Sequence, residues 1–67
     1  MSASNEAKQR VVEEKADLDA KIAKLKAYWD SPFFPTLPEI QRQLLEEQSV
    51  VMEQYSAILG KGLAAWQ

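Results

Sequence analysis

The side chains of this sequence that could bind a ligand are cations, an amide and an aromatic ring. Lysine and arginine hold phosphate groups, and a tyrosine ring stacks on a base or packs against a sugar. The candidates lie on two predicted helices that an antiparallel hairpin brings together. They predict a site for a phosphate-bearing ligand, made by Lys8, Arg10, Lys15, Gln48 and Tyr55.

Lys15 is the central candidate because it falls at a heptad core position of the first predicted helix. A buried charge is costly unless it meets an acid, water or an anion. Folding the chain at Phe34 pairs positions whose numbers sum to about 69 or 70, which places Lys15 beside Tyr55. The alternative is structural: Lys15 pairs with an acid, such as Glu14 of a neighbouring chain or Glu47, and sets the helix register.

Catalysis and metal binding find no support in the residue types. The chain has no histidine and no cysteine, which removes the commonest general base and the best zinc ligands. Adjacent carboxylates such as Glu13 and Glu14 point about 100° apart on a helix and do not form an acid and base pair. No glycine-rich phosphate loop is present. The sequence predicts a binding protein without a metal or cofactor, not an enzyme.

Two long segments free of proline predict the elements that position these residues. After a polar segment 1–5 that we expect to fray, helix formers run from about 6 to 30. A heptad pattern fits this first helix, and its core positions are Lys8, Val11, Lys15, Leu18, Ile22, Leu25 and Trp29.

All three prolines lie in the corner 31–36 or just after it. Pro32 disfavours helix at Ser31, and Thr36 to Glu39 has the pattern of a capping box that would begin the second helix at about 37. Phe33 and Phe34 either close the end of the hairpin or form an exposed docking tip.

The second helix, predicted over about 37–66, is apolar on two flanks. One flank can pack on the first helix and the other on a second chain. We expect the hairpin to use Leu44 and Val51. The predicted oligomer interface is then Leu45, Met52, Leu59, Leu63 and Trp66.

Length and charge restrict the context in which such a hairpin could work. A chain of 67 residues without cysteine buries little surface, so association with further copies is expected to stabilise it. The net charge of −2 argues against general DNA or RNA binding. With no apolar run long enough for a membrane span, a cytoplasmic location is expected. The predicted fold is all-α: an antiparallel two-helix hairpin that oligomerises into a helical bundle.

The pattern also resembles a widespread set of small phage and prophage proteins, the crAss-like phage related small proteins. The resemblance covers about residues 10–66 and rests on the segments Arg10 to Lys15, Leu37-Pro38 and Tyr55-Ser56 followed by Ile58-Leu59 and Trp66. The hairpin plan is similar to phage sponge proteins of anti-CBASS and anti-Thoeris type. The resemblance implies a phage protein, acting in the infected host, that sequesters a cyclic nucleotide signal. The alternative is a helical module that inhibits or scaffolds a host or phage protein.

Overall fold

A computed structural model shows a hairpin of two long helices. It describes residues 3–66, with side chains from residue 5 onward. Helix α1 is Ala3–Trp29, helix α2 is Glu39–Ala64, and a short 3-10 helix, Phe34–Thr36, lies between them. Residues 3–66 contain no strand. The helices pack side by side in a rod of 51 × 15 × 14 Å, which confirms the predicted all-α hairpin.

The helix ends differ from the predicted bounds by one to three residues. Helix α1 begins at Ala3, so most of the segment predicted to fray is helical, while residues 1 and 2 lie outside the described residues. It ends at Trp29, where the Ser31 hydroxyl and amide both donate to the Tyr28 carbonyl at 2.6 and 3.0 Å. These bonds satisfy a carbonyl of the last turn.

The capping box predicted for the start of α2 does not form. The Thr36 hydroxyl donates to the Phe33 carbonyl at 2.5 Å, inside the 3-10 turn. Pro38 has an extended backbone, with ψ of 148°, and occupies the N-cap position. Its carbonyl accepts from the amides of Gln41 and Arg42. Because Pro38 cannot be helical in this conformation, α2 begins at Glu39 and not at the predicted residue 37.

The two corner phenylalanines have different surroundings. The Phe34 ring lies edge-on to Tyr28, with centroids 6.2 Å apart, and tilted against Trp29 at 6.0 Å. Such ring pairs contribute roughly 0.5–1.5 kcal/mol beyond their buried area. Phe33 is 67% exposed. Phe34 therefore packs against the end of α1, whereas Phe33 is largely exposed.

The face of α2 that packs on α1 is displaced by one residue from the predicted one. The protected positions of α2 recur at intervals of three and four residues, and we call them the inner seam: Arg42, Leu45, Ser49, Met52, Ser56, Leu59, Leu63 and Trp66. The predicted pairing had placed Leu44, Gln48, Val51 and Tyr55 there. Each residue turns the helix by about 100°, so the apolar flank predicted for the hairpin points outward.

On α1 the heptad prediction is correct from Val11 to Trp29, where all the core positions are protected, but Lys8 is exposed. The core is thin. Among residues 5–66 the one buried hydrophobic side chain is Ile22, 8% exposed, and the other buried residues are Ser49 and Ser56. Two small side chains seven residues apart allow the helices to approach, but they bury little apolar area.

Candidate functional site

A polar cluster joins the two helices in the half of the hairpin away from the corner. The Lys15 ammonium donates to the Asp19 carboxylate at 2.8 Å and to the Ser56 hydroxyl at 3.2 Å. The Ser56 hydroxyl in turn donates to the other oxygen of Asp19. The bond from Lys15, and then the bond from Ser56, lower the pKa of the Asp19 carboxyl.

Gly60 makes room for this cluster. A Cβ at this position would lie 3.3 Å from the Lys15 Cε, so the absence of a side chain lets the lysine stem pass across α2. Lys15 therefore faces Ser56 and Gly60, and not Tyr55 as the predicted pairing had it. Its acidic partner is Asp19 of its own helix. Glu47, the partner that the sequence suggested within one chain, does not take this role.

Tyr55 makes a second bond between the helices. Its hydroxyl donates to the Glu14 carboxylate. This bond to a carboxylate favours the protonated phenol and raises the pKa of Tyr55. The bond to Glu14 fixes the orientation of the Tyr55 side chain. The residue stays 42% exposed, so part of its surface is open to a ligand.

Tyr55 borders an open groove of about 400 Å³ along α1. The groove is lined by Arg10, Glu13, Glu14, Asp17, Leu18, Lys21 and Tyr55. It presents two cations and three carboxylates around one aromatic ring and one aliphatic side chain. Such a mixed surface can donate to phosphate oxygens from its cations and accept from hydroxyl or amino groups at its carboxylates.

The structure brings only two of the five predicted ligand residues to one place. Arg10 and Tyr55 share the groove. Lys15 lies between the helices with Asp19 and Ser56, and Lys8 borders a separate depression with Gln9 and Val12 among others. Gln48 is exposed on α2, where its amide donates to the Met52 sulfur at 3.8 Å.

Sequence reasoning missed Lys21 and Asp17 as groove residues. The signal for them was present: positions 10, 14, 17 and 21 follow the spacing of four, three and four residues that marks one helix face. Asp17 and Lys21 also form an i,i+4 pair of opposite charge, which is typical of a solvated helix face. The fold turns this charged face toward Tyr55 of α2.

The five residues predicted to meet a second chain all lie on the inner seam, half-buried within one chain. The exposed apolar residues of α2 are different ones, and the prominent examples are Ile40, Leu44, Val50, Val51 and Ile58. The flank predicted to meet a second chain therefore packs on α1, and the flank predicted to pack on α1 is exposed.

Within the described residues, 3–66, no group of three or more acidic side chains is placed to hold a metal ion. Neither helix there is long and apolar enough to cross a membrane.

The fold and the groove define a small all-α hairpin with a mixed polar and aromatic surface suited to binding. A family model described as Sequestin matches residues 5–63. The chain belongs to the Sequestin family. No curated protein and no solved structure is similar enough to count as a match. The family's name denotes sequestering, which is binding and not catalysis.

Proposed function

We propose that the protein binds and sequesters a nucleotide-derived immune signal without cleaving it. A cyclic oligonucleotide and a cyclic ADP-ribose are the two candidate types. In this proposal it is a phage-encoded anti-defence protein that acts in the cytoplasm of the infected bacterium. The observation that carries the proposal is the groove where Arg10, Lys21 and Tyr55 meet, in a chain of the Sequestin family.

The groove offers a complementary group for each part of such a ligand. Arg10 and Lys21 donate to the phosphates, Arg10 in a bidentate manner. The exposed part of the Tyr55 ring packs against a base or a ribose. Glu13 and Asp17 accept from ribose hydroxyls or an exocyclic amine, while Glu14 is already occupied by the Tyr55 hydroxyl.

Lys15 has a supporting role in this proposal. Its ammonium is held by Asp19 and Ser56 between the helices, and these bonds hold α1 against α2 next to the groove residue Glu14. The chain has no histidine or cysteine to activate a nucleophile. We therefore propose that the bound ligand is released unchanged.

Calorimetric titration with a panel of cyclic dinucleotides, cyclic trinucleotides and cyclic ADP-ribose isomers tests the proposal. We expect one class to bind with a defined stoichiometry and to be recovered intact, by chromatography, after the protein is denatured. Absence of heat for every compound at about 100-fold excess over protein, or recovery of a cleaved product, would contradict the proposal.

Matched variants locate the site. Arg10→Gln removes a charged hydrogen-bond donor, so we expect a loss of about 1.5–3 kcal/mol in binding, roughly 10- to 100-fold in affinity. Lys8→Gln removes the same charge near the same end of α1 but outside the groove, and should leave affinity within about 2-fold. Equal losses in both variants would indicate a general charge effect and no site in the groove.

The corner supports a second candidate function, binding of a host or phage protein. Phe33 is 67% exposed beside a depression lined by Phe34, Glu39 and Arg42 among others. Trp29 Nε1 and Arg42 Nε, both near this corner, are buried donors without a hydrogen-bond partner among the described residues. If this function is correct, Phe33→Ser should abolish stoichiometric capture of the partner and leave helicity unchanged. Unchanged capture would exclude the tip.

A further inference from the structure

Helix α2 carries a second heptad stripe that the hairpin leaves uncovered. We define the outer stripe by the positions that recur every three and four residues one step before the inner seam: Leu44, Gln48, Val51, Tyr55, Ile58 and Gly62. Its three aliphatic side chains are 49%, 62% and 62% exposed for Leu44, Val51 and Ile58. A 3–4 repeat of apolar side chains is the pattern of a helix packing surface.

The direction of this stripe fits a four-helix arrangement. The outer stripe lies one residue before the inner seam, which corresponds to a rotation of about 100° around the axis of α2. The inner seam faces α1, so the outer stripe points at nearly a right angle to the direction from α2 to α1. A helix in a square bundle has its two neighbours in such directions. The core of the hairpin is thin, because Ile22 is its one buried hydrophobic residue among residues 5–66. Much of the apolar surface that the chain could still bury therefore lies on the outer stripe.

We propose that a second copy of the chain covers the outer stripe, with the two α2 helices antiparallel about a twofold axis near Glu53. In this register Val51 packs against one face of the ring of Tyr55 of the partner subunit, which leaves the other face of that ring to the groove. Gln48 packs against Ile58 of the partner subunit. The overlap extends over nearly the whole of α2, because core positions equidistant from Glu53 meet, and the edge positions pair about a point one residue further along the helix.

The charges beside the stripe select this orientation. Its edge carries Glu47, Gln54 and Lys61, spaced seven residues apart. In the antiparallel pair, edge residues meet edge residues, which sets Glu47 beside Lys61 of the partner subunit and Gln54 beside its own symmetry copy. A parallel pair would instead set Glu47 against Met52 of the partner subunit, a charge against an apolar side chain. Charge complementarity therefore favours the antiparallel pair.

The symmetry also places the two binding grooves together. A twofold axis perpendicular to the helices keeps both α1 helices on the same side of the α2 pair. The charged face of each α1, with Arg10 and Lys21, then looks toward the same face of its partner. The groove of one chain becomes half of a shared cleft, and this consequence, unlike the dimer itself, rests on the function proposed above.

Single cysteines test the orientation in a chain that has none of its own. Gln54→Cys and Gln41→Cys replace the same residue type at exposed positions of α2. The antiparallel pair brings position 54 against its own copy and separates the two copies of position 41 by about 36 Å. We expect rapid disulfide dimers under mild oxidation for Gln54→Cys alone. Cross-linking of Gln41→Cys alone would show a parallel pair and overturn the proposal.

A charge exchange tests the register by sedimentation equilibrium. Glu47 and Lys61 are about 21 Å apart within one helix and cannot pair in one chain. We expect Glu47→Lys and Lys61→Glu each to weaken dimerisation about 10-fold and the double variant to restore it. A monomeric wild-type chain at about 100 µM, or a double variant no better than the singles, would overturn the dimer. A monomer that still binds nucleotide would leave the proposed function intact.

Discussion

The two flanks of α2 differ by one position in the sequence and have opposite surroundings in the structure. The inner seam contains the buried residues Ser49, 3% exposed, and Ser56, 7% exposed. The outer stripe contains Val51 and Ile58, both 62% exposed. The flank that packs on α1 therefore carries a serine at two of its most protected positions, while aliphatic side chains of the other flank stay exposed. Hydrophobicity alone does not decide which face a helix buries when both flanks are apolar.

Side-chain size and hydrogen bonding account for the choice. Ser56 can donate to Asp19 and accept from Lys15 at once, while Gly60 leaves space for the lysine stem. If Tyr55 occupied the inner position instead, Lys15 and Asp19 would lose this partner and the helices would be forced apart. A satisfied polar cluster fixes a pairing that apolar packing leaves undetermined.

Matched isoleucines on α1 and on the outer stripe should give the largest contrast. Ile22→Ala removes a buried side chain and should lower the free energy of unfolding by about 2–4 kcal/mol at any protein concentration. Ile58→Ala removes an exposed one and should cost less than about 1 kcal/mol in dilute solution, rising as dimers form. Urea titrations at two concentrations measure both. Equal losses in dilute solution would contradict the assignment of the faces.

Neighbouring positions 56 and 57 should give the next contrast. Ser56→Leu places a large side chain between the helices and should cost about 1–3 kcal/mol through overpacking. Ala57→Leu adds the same side chain at an exposed position and should change stability by less than about 0.5 kcal/mol. Thermal unfolding followed by circular dichroism separates the two variants. If Ala57→Leu lowered the stability and Ser56→Leu did not, the assignment of position 56 to the inner seam and of position 57 to the exposed surface would be wrong.

The acid limb of the stability profile should depend on Asp19. The fold lowers its pKa below the ordinary value of 3.8, so the ionised form is favoured in the folded state. The contribution of the ionised Asp19 carboxylate to the free energy of unfolding is complete above pH 3.8 and is lost as the pH falls through the folded pKa. Asp19→Asn should remove this loss, and urea midpoints at a series of acid pH values measure it. Identical acid limbs for both proteins would contradict the cluster.

The alkaline limb should depend on Tyr55. The bond to Glu14 raises its pKa above 10.0, so the contribution is complete below pH 10.0 and is lost as the pH rises through the folded value. Tyr55→Phe should abolish this loss. Both proteins keep Tyr28, so the difference between their absorbance titrations gives the pKa of Tyr55. A Tyr55 pKa at or below 10.0 would show that the bond to Glu14 does not form in solution.

The two glycines of α2 should give the smallest contrast. Gly62→Ala should stabilise the hairpin by about 0.8–1 kcal/mol, because alanine favours helix and its Cβ meets nothing within 4 Å. Gly60→Ala has the same helix preference but sets its Cβ 3.3 Å from the Lys15 Cε, so its gain should be smaller. Thermal midpoints compare them. A larger gain for Gly60→Ala would mean that Lys15 does not cross α2 there.

The sequence was sufficient for the fold because proline placement and helix propensity act locally. Pro32 and Pro38 mark the corner, and the heptad from Val11 to Trp29 identifies the packed face of α1. The face of α2 could not be predicted in the same way. Its two flanks have similar periodicity, and the choice depends on contacts between residues 41 positions apart, such as Lys15 with Ser56.

The residues of the candidate site could also be predicted only in part. Arg10 and Tyr55 were predicted from residue type and lie in one groove, whereas Lys15 was expected beside Tyr55 and lies beside Ser56, because the predicted pairing was one residue out of register. A shift of one residue in the pairing corresponds to a rotation of α2 by about 100°, so Ser56 lies beside Lys15 where Tyr55 had been predicted. A small error in register thus changes the identity of a site while the fold prediction stays correct.

A designed disulfide in the cysteine-free chain tests directly whether α2 turns Ser56, and not Tyr55, toward α1. Asp19→Cys combined with Ser56→Cys should form an intramolecular disulfide in dilute solution, detected by mass spectrometry, because the two native side chains are in hydrogen-bond contact. Asp19→Cys combined with Tyr55→Cys should remain reduced under the same conditions. An intramolecular disulfide between positions 19 and 55, with none between 19 and 56, would contradict the account.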